Sequence, residues 1–454
     1  EPPVSVARGR RPLSAWDIVA VLLVLGLLVL LAAGSRGVLG DLADLTGSPL
    51  SLDPRLLPGY AARTALRMLA ALVLSLLFTF GYATVAAKNA RAEQLLMPVL
   101  DILQSVPILG FVSVSVVWFL SLAPGKVLGA ELVAIFAIFT SQVWNMTYSL
   151  YASLRTVPRE LQEAATSFRF SGWLRFWRLE VPFAIPSLVW NTMMSMSGGW
   201  FFVVASEAIL VGDTEVALPG IGSYISVALA SSDLGAVAWA IGAMAVVILL
   251  YDQLLFRPLV AWSDRYRLDR SSPSVARPRS WVLDLLQRSA LVQAATRPVR
   301  ALMRRSFVRA ARSQDVRLAR PDRAPTPQAA RASATRERAL DLAWYVFLTA
   351  IVGGAAYGVI AFVATAVDLR EFLTALKLGS FTLLRVALLT ALASLVWVPI
   401  GVMIGLSPRL TQLAQPVVQF LAAFPANLLF PLAVGVIVRY DLNTEVWLSP
   451  LMIL

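Results

Sequence analysis

Cys and His, two side chains that often carry nucleophilic, acid–base or metal chemistry near neutral pH, are both absent from this chain. Their absence excludes disulfides, thiolate chemistry, imidazole metal sites and catalysis that depends on His. The sequence also lacks a GxxxxGK[ST] phosphate-binding loop, so any ATP that drives this protein is bound by another polypeptide. We therefore predict no catalytic residue, no metal ligand and no cofactor on this chain.

Polar side chains inside long apolar runs are the next candidates for function, because lipid penalises ionisable groups that lack a partner or a cavity. Glu207 stands late in one run, where it faces a cavity or a partner, or reaches interfacial water. Arg67 and Arg385 stand early in two others, where they could attract an anion, although extension to the headgroups is the favoured interpretation. Amides could line a cavity or bond to neighbouring helices. The candidate pathway residues are Arg67, Ser105, Pro107, Gln142, Asn145, Asn191, Glu207, Arg385 and Asn427.

The composition predicts that membrane-spanning helices position these residues. Hydrophobic residues make up 58% of the chain and charged residues 15%, and the mean hydropathy is +0.72, whereas about a quarter of the residues in soluble proteins are charged. Nine apolar runs are long enough to cross about 30 Å of hydrocarbon, and a tenth begins near residue 446. The runs are 16–34, 60–87, 98–122, 130–153, 187–211, 235–256, 342–366, 381–406 and 416–438. We predict an all-α, polytopic membrane protein.

Basic residues in the short loops predict the orientation of the first six runs. Arg or Lys precedes the first run, separates the second from the third and the fourth from the fifth, and follows the sixth. The loops at 35–58 and 212–234 are acidic or mixed. The basic loops are therefore predicted to face the cytoplasm and the other two to face outward.

The loop at 155–186, between the fourth and fifth runs, carries the most specific pattern in the chain. It contains Glu163-Ala164-Ala165, several aromatic residues and a Val-Pro pair. This arrangement resembles the EAA loop of binding-protein-dependent ABC importer permeases, in which a short helix docks into a groove on a separate ATPase subunit. One departure is Arg169, because the family usually has Gly there, at a turn that favours a left-handed residue. The resemblance assigns ATPase coupling to Glu163, Ala164, Ala165, Phe168, Arg169, Trp173, Phe176 and Pro182.

Other residues are similar to the nitrate/sulfonate/bicarbonate branch of these permeases: Ser105-Val106-Pro107, Glu207 after Trp200, and Gly220-Ile221-Gly222. The resemblance implies a type I ABC importer permease fold in the bacterial cytoplasmic (inner) membrane. It also implies a small solute, such as the anions nitrate, sulfonate or bicarbonate. The implied partners are ABC ATPase subunits at the cytoplasmic face, which hold ATP and Mg, a periplasmic or lipid-anchored substrate-binding protein, and membrane lipids, but no nucleic acid.

A repeat with an offset of 318 residues indicates that the permease is duplicated within the chain. Twelve identities align without a gap, from Thr64 on Thr382 to Pro107 on Pro425, and the paired Arg, Gln and Pro residues argue against chance. Repeats in the same orientation imply a two-fold pseudo-axis along the membrane normal. The two prolines are expected to break equivalent helices. A second coupling loop is expected near residue 481, so we expect the second copy to be incomplete here.

The segment 264–338 between the repeats contains 18 Arg, no Lys and six acidic residues, a net charge of +12 that equals that of the whole chain. The basic character of the chain is therefore a property of this linker. Trp281, Leu285, Leu286, Leu302, Met303 and Phe307 interleave with Arg, which fits either a basic amphipathic helix on anionic lipid or a solvated tether. The predicted domains are 1–58 with the first run, 59–263 as the first permease domain, 264–338 as a cytoplasmic linker and 339–454 as the start of the second permease domain.

Two other classes of protein compete with the permease. A secondary transporter would explain the repeat but would leave the loop at 155–186 accidental and would need a coupling-ion site. A polytopic membrane enzyme would need an acid–base or metal-binding cluster. Without Cys and His, only scattered Asp and Glu could form one. A neighbouring gene for an ABC ATPase would distinguish the permease from both.

Single cysteines introduced at Ser171, Ser232 and Ser313 test the orientation, because the chain has no Cys of its own. An impermeant thiol reagent added to intact cells is expected to label position 232 and to leave 171 and 313 unlabelled, since only the first is predicted to face outward. Labelling at 171 or 313, or protection of 232, would refute the orientation.

Overall fold

A computed structural model of the chain describes residues 15–35, 38, 40–42, 50–211, 214–267, 280–298, 301–302, 304–307, 327–366, 368–423, 430, 437, 440–441 and 443. Within these residues the fold is almost entirely helical. The chain divides into two compact units. The first comprises 1–88, 100–314 and 416–429, and the second comprises 89–99, 315–415 and 430–454.

The side chains of Ser171, Asp233 and Asp368 cap the starts of three helices, whereas Pro98, Pro186 and Pro399 lie inside helices. In the first part of the chain the helices are α1 (Ala15–Ser35), α2 (Leu57–Lys88), α3 (Ala90–Ser105), α4 (Ile108–Leu122), α5 (Val127–Arg155), α6 (Arg159–Ser167), α7 (Gly172–Arg175) and α8 (Val181–Glu207). They continue as α9 (Ile221–Ala230), α10 (Leu234–Tyr251), α11 (Arg257–Ser263), α12 (Trp281–Arg288) and α13 (Ala290–Ala295). The last three are α14 (Pro327–Ala366), α15 (Leu369–Gly405) and α16 (Pro408–Ala423).

The core of the first unit lies among α2, α5 and α8, which pack against one another, with α9 and α10 at its side. Its largest fully buried side chains include Met68, Ile138, Met146, Met196 and Trp200. Buried residues number 11 of the 32 in α2, 17 of the 29 in α5 and 13 of the 27 in α8, so α5 is the most enclosed of the three helices. This packing brings distant polar residues of the three helices to the same interface.

The third predicted span is not one helix. The run 98–122 is divided into α3 and α4 by Val106 and Pro107. Pro107 has φ −57° and ψ 129°, outside the helical region, and it disfavours helical backbone at the preceding residue. The expectation that Pro107 breaks a helix is therefore confirmed, and the expectation of a continuous span is wrong.

A short hairpin joins two helices of this otherwise helical chain. The run predicted to span 187–211 leaves the helix after Glu207, and β1 (Ala208–Val211) pairs antiparallel with β2 (Thr214–Ala217). Ala208 lies opposite Ala217 at the open end of the hairpin. The hairpin returns the chain to Glu207, so that α9 begins beside the end of α8.

The second unit contains α14 and α15, and no residue of α15 is buried. Arg91 binds Asp341 with a nitrogen–oxygen distance of 2.8 Å, and the Trp344 indole donates a hydrogen bond to Gln94 at 3.1 Å. These contacts tie the beginning of α3 to α14.

Five helical segments among the described residues are long and apolar enough to cross a membrane. They are Pro54–Lys88, Val127–Arg155, Leu234–Tyr266, Thr335–Thr365 and Leu369–Gly405. The prediction of a helical, multi-pass membrane protein is confirmed. The internal duplication and the domain boundaries stay predictions.

Candidate functional site

A buried cluster of charges lies where α2, α5 and α8 meet. Arg67 of α2 donates two hydrogen bonds to Glu131 of α5, from Nε at 2.6 Å and from Nη2 at 2.7 Å. Its Nη1 donates to Glu207 of α8 at 2.7 Å. Arg67 is only 3% exposed. The interpretation that Arg67 extends to the lipid headgroups is therefore wrong, because both carboxylates hold its guanidinium inside the bundle.

Glu207 makes further contacts that fix the start of α9. Its carboxylate accepts hydrogen bonds from the Thr64 hydroxyl and from the Gly222 backbone N–H, both at 2.6 Å. The Thr64 hydroxyl in turn accepts a bond from the Ile221 N–H at 3.0 Å. Glu207 has no exposed surface, so it faces a partner and does not reach interfacial water.

The motif Gly220-Ile221-Gly222 is required by close packing against this cluster. Gly220 is in extended backbone, with φ −176°, which any residue can adopt. A Cβ at Gly220 would nevertheless overlap the Glu207 carboxylate, and one at Gly222 would overlap the Val204 carbonyl. The two glycines therefore allow α9 to approach the end of α8 closely enough for the Gly222 N–H to reach Glu207.

A polar stripe runs along the interface between α5 and α8. It consists of Gln142, Asn145 and Ser149 of α5 and Ser187, Asn191 and Ser195 of α8. Asn145 donates to the Ser195 hydroxyl at 3.3 Å, and Asn191 donates to the Ser149 hydroxyl at 3.0 Å. The structure thus brings three of the predicted pathway residues, Gln142, Asn145 and Asn191, to one interface.

Part of this polar stripe remains open to a ligand or a partner. Asn145 is exposed, and so are the neighbouring side chains of Tyr148, Trp190 and Met194. Gln142 is fully buried, with its amide nitrogen 3.1 Å from the Met68 sulfur and its amide oxygen without a hydrogen bond among the described residues.

The other predicted pathway residues lie elsewhere. Ser105 and Pro107 are exposed at the break between α3 and α4, where the Ser105 hydroxyl donates to the Asp101 carbonyl of its own helix. Arg385 is exposed on α15 of the second unit. Asn427 and Pro425 lie outside the described residues.

The predicted coupling loop forms two short helices, α6 and α7, joined by a tight turn. Arg169 occupies the left-handed position of this turn, with φ 51°. The Phe170 N–H bonds to the Ala165 carbonyl and the Arg169 N–H to the Thr166 carbonyl, each at 2.9 Å, which is a Schellman cap. The turn therefore keeps the geometry that Gly would allow, although a non-glycine residue in it is strained.

The aromatic residues of the coupling loop divide between its surface and its base. Phe168 is 75% exposed and Trp173 is 50% exposed. Glu163 and Ala164 are exposed and Ala165 is buried, while Phe176 and Pro182 are half-buried where the loop joins α8 through a π-helical turn, Phe176–Glu180. A polar groove of about 580 Å³ beside α6 is lined by Arg159, Gln162, Glu163, Thr166, Ser167 and Arg175.

Glu180 anchors the coupling loop to the end of α2. Its carboxylate pairs with Lys88 at 2.5 Å and with Arg175 at 3.0 Å. Arg175 also donates to the Gln162 side chain of α6 at 2.8 Å, and the Lys88 ammonium lies over the Phe176 ring, 5.3 Å from its centre. Sequence reasoning missed this anchor, although Lys88 and the coupling loop were both predicted to face the cytoplasm.

Comparison with known proteins shows which family most of this helical bundle resembles. Residues 71–257 match the family described as the binding-protein-dependent transport system inner membrane component. These residues form a permease domain of that family. Over these residues the predicted resemblance to the binding-protein-dependent permeases is confirmed, as is the prediction of a multi-pass protein of the inner membrane.

Curated permeases are similar to part of this chain. The riboflavin transport system permease protein RibX of Chloroflexus aurantiacus is 28% identical over 37% of this chain and 59% of its own length. The bicarbonate transport system permease protein CmpB of Synechococcus elongatus is 24% identical over 40% of this chain and 58% of its own. The glycine betaine/carnitine transport permease protein GbuB of Listeria monocytogenes is 27% identical over 37% of this chain and 54% of its own. The chain thus spans less than two thirds of the length of each.

The substitution Arg67→Met tests the buried cluster. It is expected to destabilise the protein by about 3–5 kcal/mol, because Glu131 and Glu207 would stay buried without their shared counter-ion. Unfolding of the detergent-solubilised protein in SDS measures the change. Arg63→Met removes the same charge one turn earlier, from a half-buried side chain, and is expected to change stability by about 1 kcal/mol or less. Equal losses for the two variants would contradict the assignment.

Proposed function

We propose that this chain is the membrane-spanning permease subunit of an ATP-driven importer for a small solute. In this proposal ATP and Mg are bound by separate ATPase subunits at the cytoplasmic face, and a periplasmic or lipid-anchored binding protein delivers the solute. The observation that carries the proposal is the coupling loop, whose exposed aromatic residues and polar groove stand on a helix pair that is bonded to the end of α2.

The exposed surface of the coupling loop supports docking of another protein. Exposed aromatic side chains are typical anchors of protein interfaces, and Phe168 and Trp173 lie within one short segment. The groove beside them presents the Glu163 carboxylate together with Arg159 and Arg175. A partner of complementary charge could therefore bind with both apolar and ionic contacts.

The anchor at Glu180 supplies a route by which movement of the partner would reach the membrane domain. Lys88 is the last residue of α2, and Glu180 immediately precedes α8. A displacement of the coupling loop would thus act on two core helices at once. Arg67 of α2 also pairs with Glu207 at the end of α8, so the two helices are bonded at two separate places.

The polar stripe between α5 and α8 is the proposed wall of the solute pathway. Amides and hydroxyls in membrane-spanning helices need a protein partner or a water-filled cavity. The exposed Asn145 and the unbonded amide oxygen of Gln142 fit such a cavity. The opposite wall would come from a second permease copy, either the second half of a duplicated chain or another subunit.

A secondary transporter fits the described residues less well. Such a protein needs a carboxylate within the membrane that can release and bind a coupling ion. The buried Glu131 and Glu207 both pair with Arg67 instead, and Glu180 pairs with Lys88 and Arg175. Each of these carboxylates is already held by a basic side chain.

The charge reversal Glu163→Lys tests the coupling loop. It is expected to weaken co-purification of the co-expressed ATPase by about tenfold or more, because a reversed charge at a complementary interface costs several kcal/mol. Glu160→Lys is the matched control: it makes the same change on an exposed residue of α6 that does not line the groove. Its effect is expected to stay within about twofold. Undiminished co-purification of the ATPase with Glu163→Lys would contradict the assignment of residues 163–182 as the coupling site.

A small anion, such as bicarbonate, nitrate or a sulfonate, is the proposed solute. The similarity to the bicarbonate permease CmpB supports this class, while RibX is named for riboflavin. Because specificity in such importers resides largely in the binding protein, a ligand screen of the cognate binding protein is the direct test. We expect it to select an anion over neutral and zwitterionic compounds of similar size. Selection of a neutral or zwitterionic compound would overturn the anion assignment and leave the permease assignment standing.

A further inference from the structure

The helix α12, which begins the described part of the Arg-rich linker, packs across the ends of two helices of the bundle. It contacts α1 and α11, and Val282 and Leu285 are buried in that contact. Just after α12, the buried Ser289 hydroxyl donates to Asp17, at the beginning of α1, at 2.7 Å. Since α11 lies near the end of the candidate membrane-spanning segment Leu234–Tyr266, α12 packs at that end of the bundle.

The end of the bundle that carries α12 is the one that carries the coupling loop. The guanidinium of Arg178, in the π-helical turn before α8, lies over the ring of Phe307, 5.1 Å from its centre. The basic loops at this end are predicted to face the cytoplasm. Trp281–Arg288 and Phe307 therefore lie at the end of the bundle that is predicted to face the cytoplasm.

The apolar face of α12 is wider than the surface that it buries. At about 100° per residue, Trp281, Leu285, Val282 and Leu286 follow one another around the helix within an arc of about 140°. The two central side chains are buried, whereas the outer two, Trp281 and Leu286, are 50% and 40% exposed. A helix that lies across the ends of membrane helices presents such flanking side chains to the lipid around the bundle, and Trp favours this boundary.

The polar groups of α12 and of the residues after it suit a phosphate-rich surface. Gln287 lies opposite the apolar arc of α12, Arg288 lies beside Trp281 with Asp284 next to it, and Arg304 and Arg305 are exposed farther along. All 18 basic residues between 264 and 338 are Arg, against six acidic residues. The guanidinium group binds phosphate oxygens through paired hydrogen bonds, which the Lys ammonium does not provide.

We propose that residues 280–298, 301–302 and 304–307 belong to an interfacial segment that binds the headgroups of anionic phospholipids at the cytoplasmic side of the membrane. Trp281 and Leu286 enter the boundary between headgroups and acyl chains, while Arg304 and Arg305 bind phosphate groups of the same leaflet. This role is independent of the transported solute and of the ATPase.

The absence of native Cys allows a direct test on the full chain in nanodiscs. Leu286→Cys and Gln287→Cys place a bimane label on adjacent residues, one at the apolar edge of α12 and one on its polar side. Nitroxide-bearing lipids then report how close each label lies to the bilayer. We expect quenching at position 286 to rise by about twofold or more when phosphatidylglycerol is added to phosphatidylcholine, and quenching at 287 to change little.

Charge variants separate lipid binding from simple packing of the helix. Arg304→Gln with Arg305→Gln is made in the Leu286→Cys background. We expect this pair to lower the apparent affinity for phosphatidylglycerol, read from the lipid dependence of the quenching, by about fivefold per arginine. Arg304→Lys with Arg305→Lys keeps the charge and is expected to retain most of the response. A higher salt concentration is also expected to weaken the quenching response of the protein that keeps both arginines.

Four outcomes would overturn the proposal. They are equal quenching at 286 and 287, no dependence on phosphatidylglycerol, the same response from inorganic phosphate in phosphatidylcholine discs, or a response that needs the ATPase. A response to inorganic phosphate would indicate a site for a free anion. A response that needs the ATPase would indicate a protein partner.

Discussion

The structure of the first unit depends on one guanidinium group held between two carboxylates inside the bundle. In a medium of low dielectric constant, none of these three charges is tolerable alone. Arg67 neutralises one carboxylate, and the remaining negative charge on the cluster is stabilised by hydrogen bonds from the Thr64 hydroxyl and the Gly222 N–H. The cluster thereby fixes the relative positions of α2, α5, α8 and the start of α9, and it explains why glycine stands at 220 and 222.

A second ionic contact, at Glu180, lies at the other end of the same helices. Arg67 and Lys88 are 21 residues apart on α2, about 32 Å at 1.5 Å per residue, so they mark two distant points on one helix. The coupling loop is bonded to the end of this helix through Glu180, and the polar stripe meets the helix where the Gln142 amide contacts the Met68 sulfur. Packed helices therefore join the coupling loop to the polar stripe.

Much of this arrangement was predictable. Apolar runs predicted five segments that the structure contains as membrane-length helices, while the coupling role of residues 163–182 stays a prediction. The pairing of Arg67 with Glu207 also had a signal that was not used: opposite charges occur near the same predicted membrane depth, where each needs a partner. The anchor formed by Lys88 and Glu180 had a weaker signal, because many charges share that face.

The sequence by itself determined the class of protein, since its long apolar runs exclude a water-soluble fold and a short polar loop carries the coupling pattern. It also determined the break between α3 and α4, because Pro107 disfavours helical backbone at the residue before it. Only the tertiary structure decided which polar groups meet. Arg67 and Glu207 are 140 residues apart, and the Schellman cap forms at Arg169 although glycine is absent there. Local patterns record the preferences of neighbouring residues, whereas burial and pairing depend on helix packing that no local pattern contains.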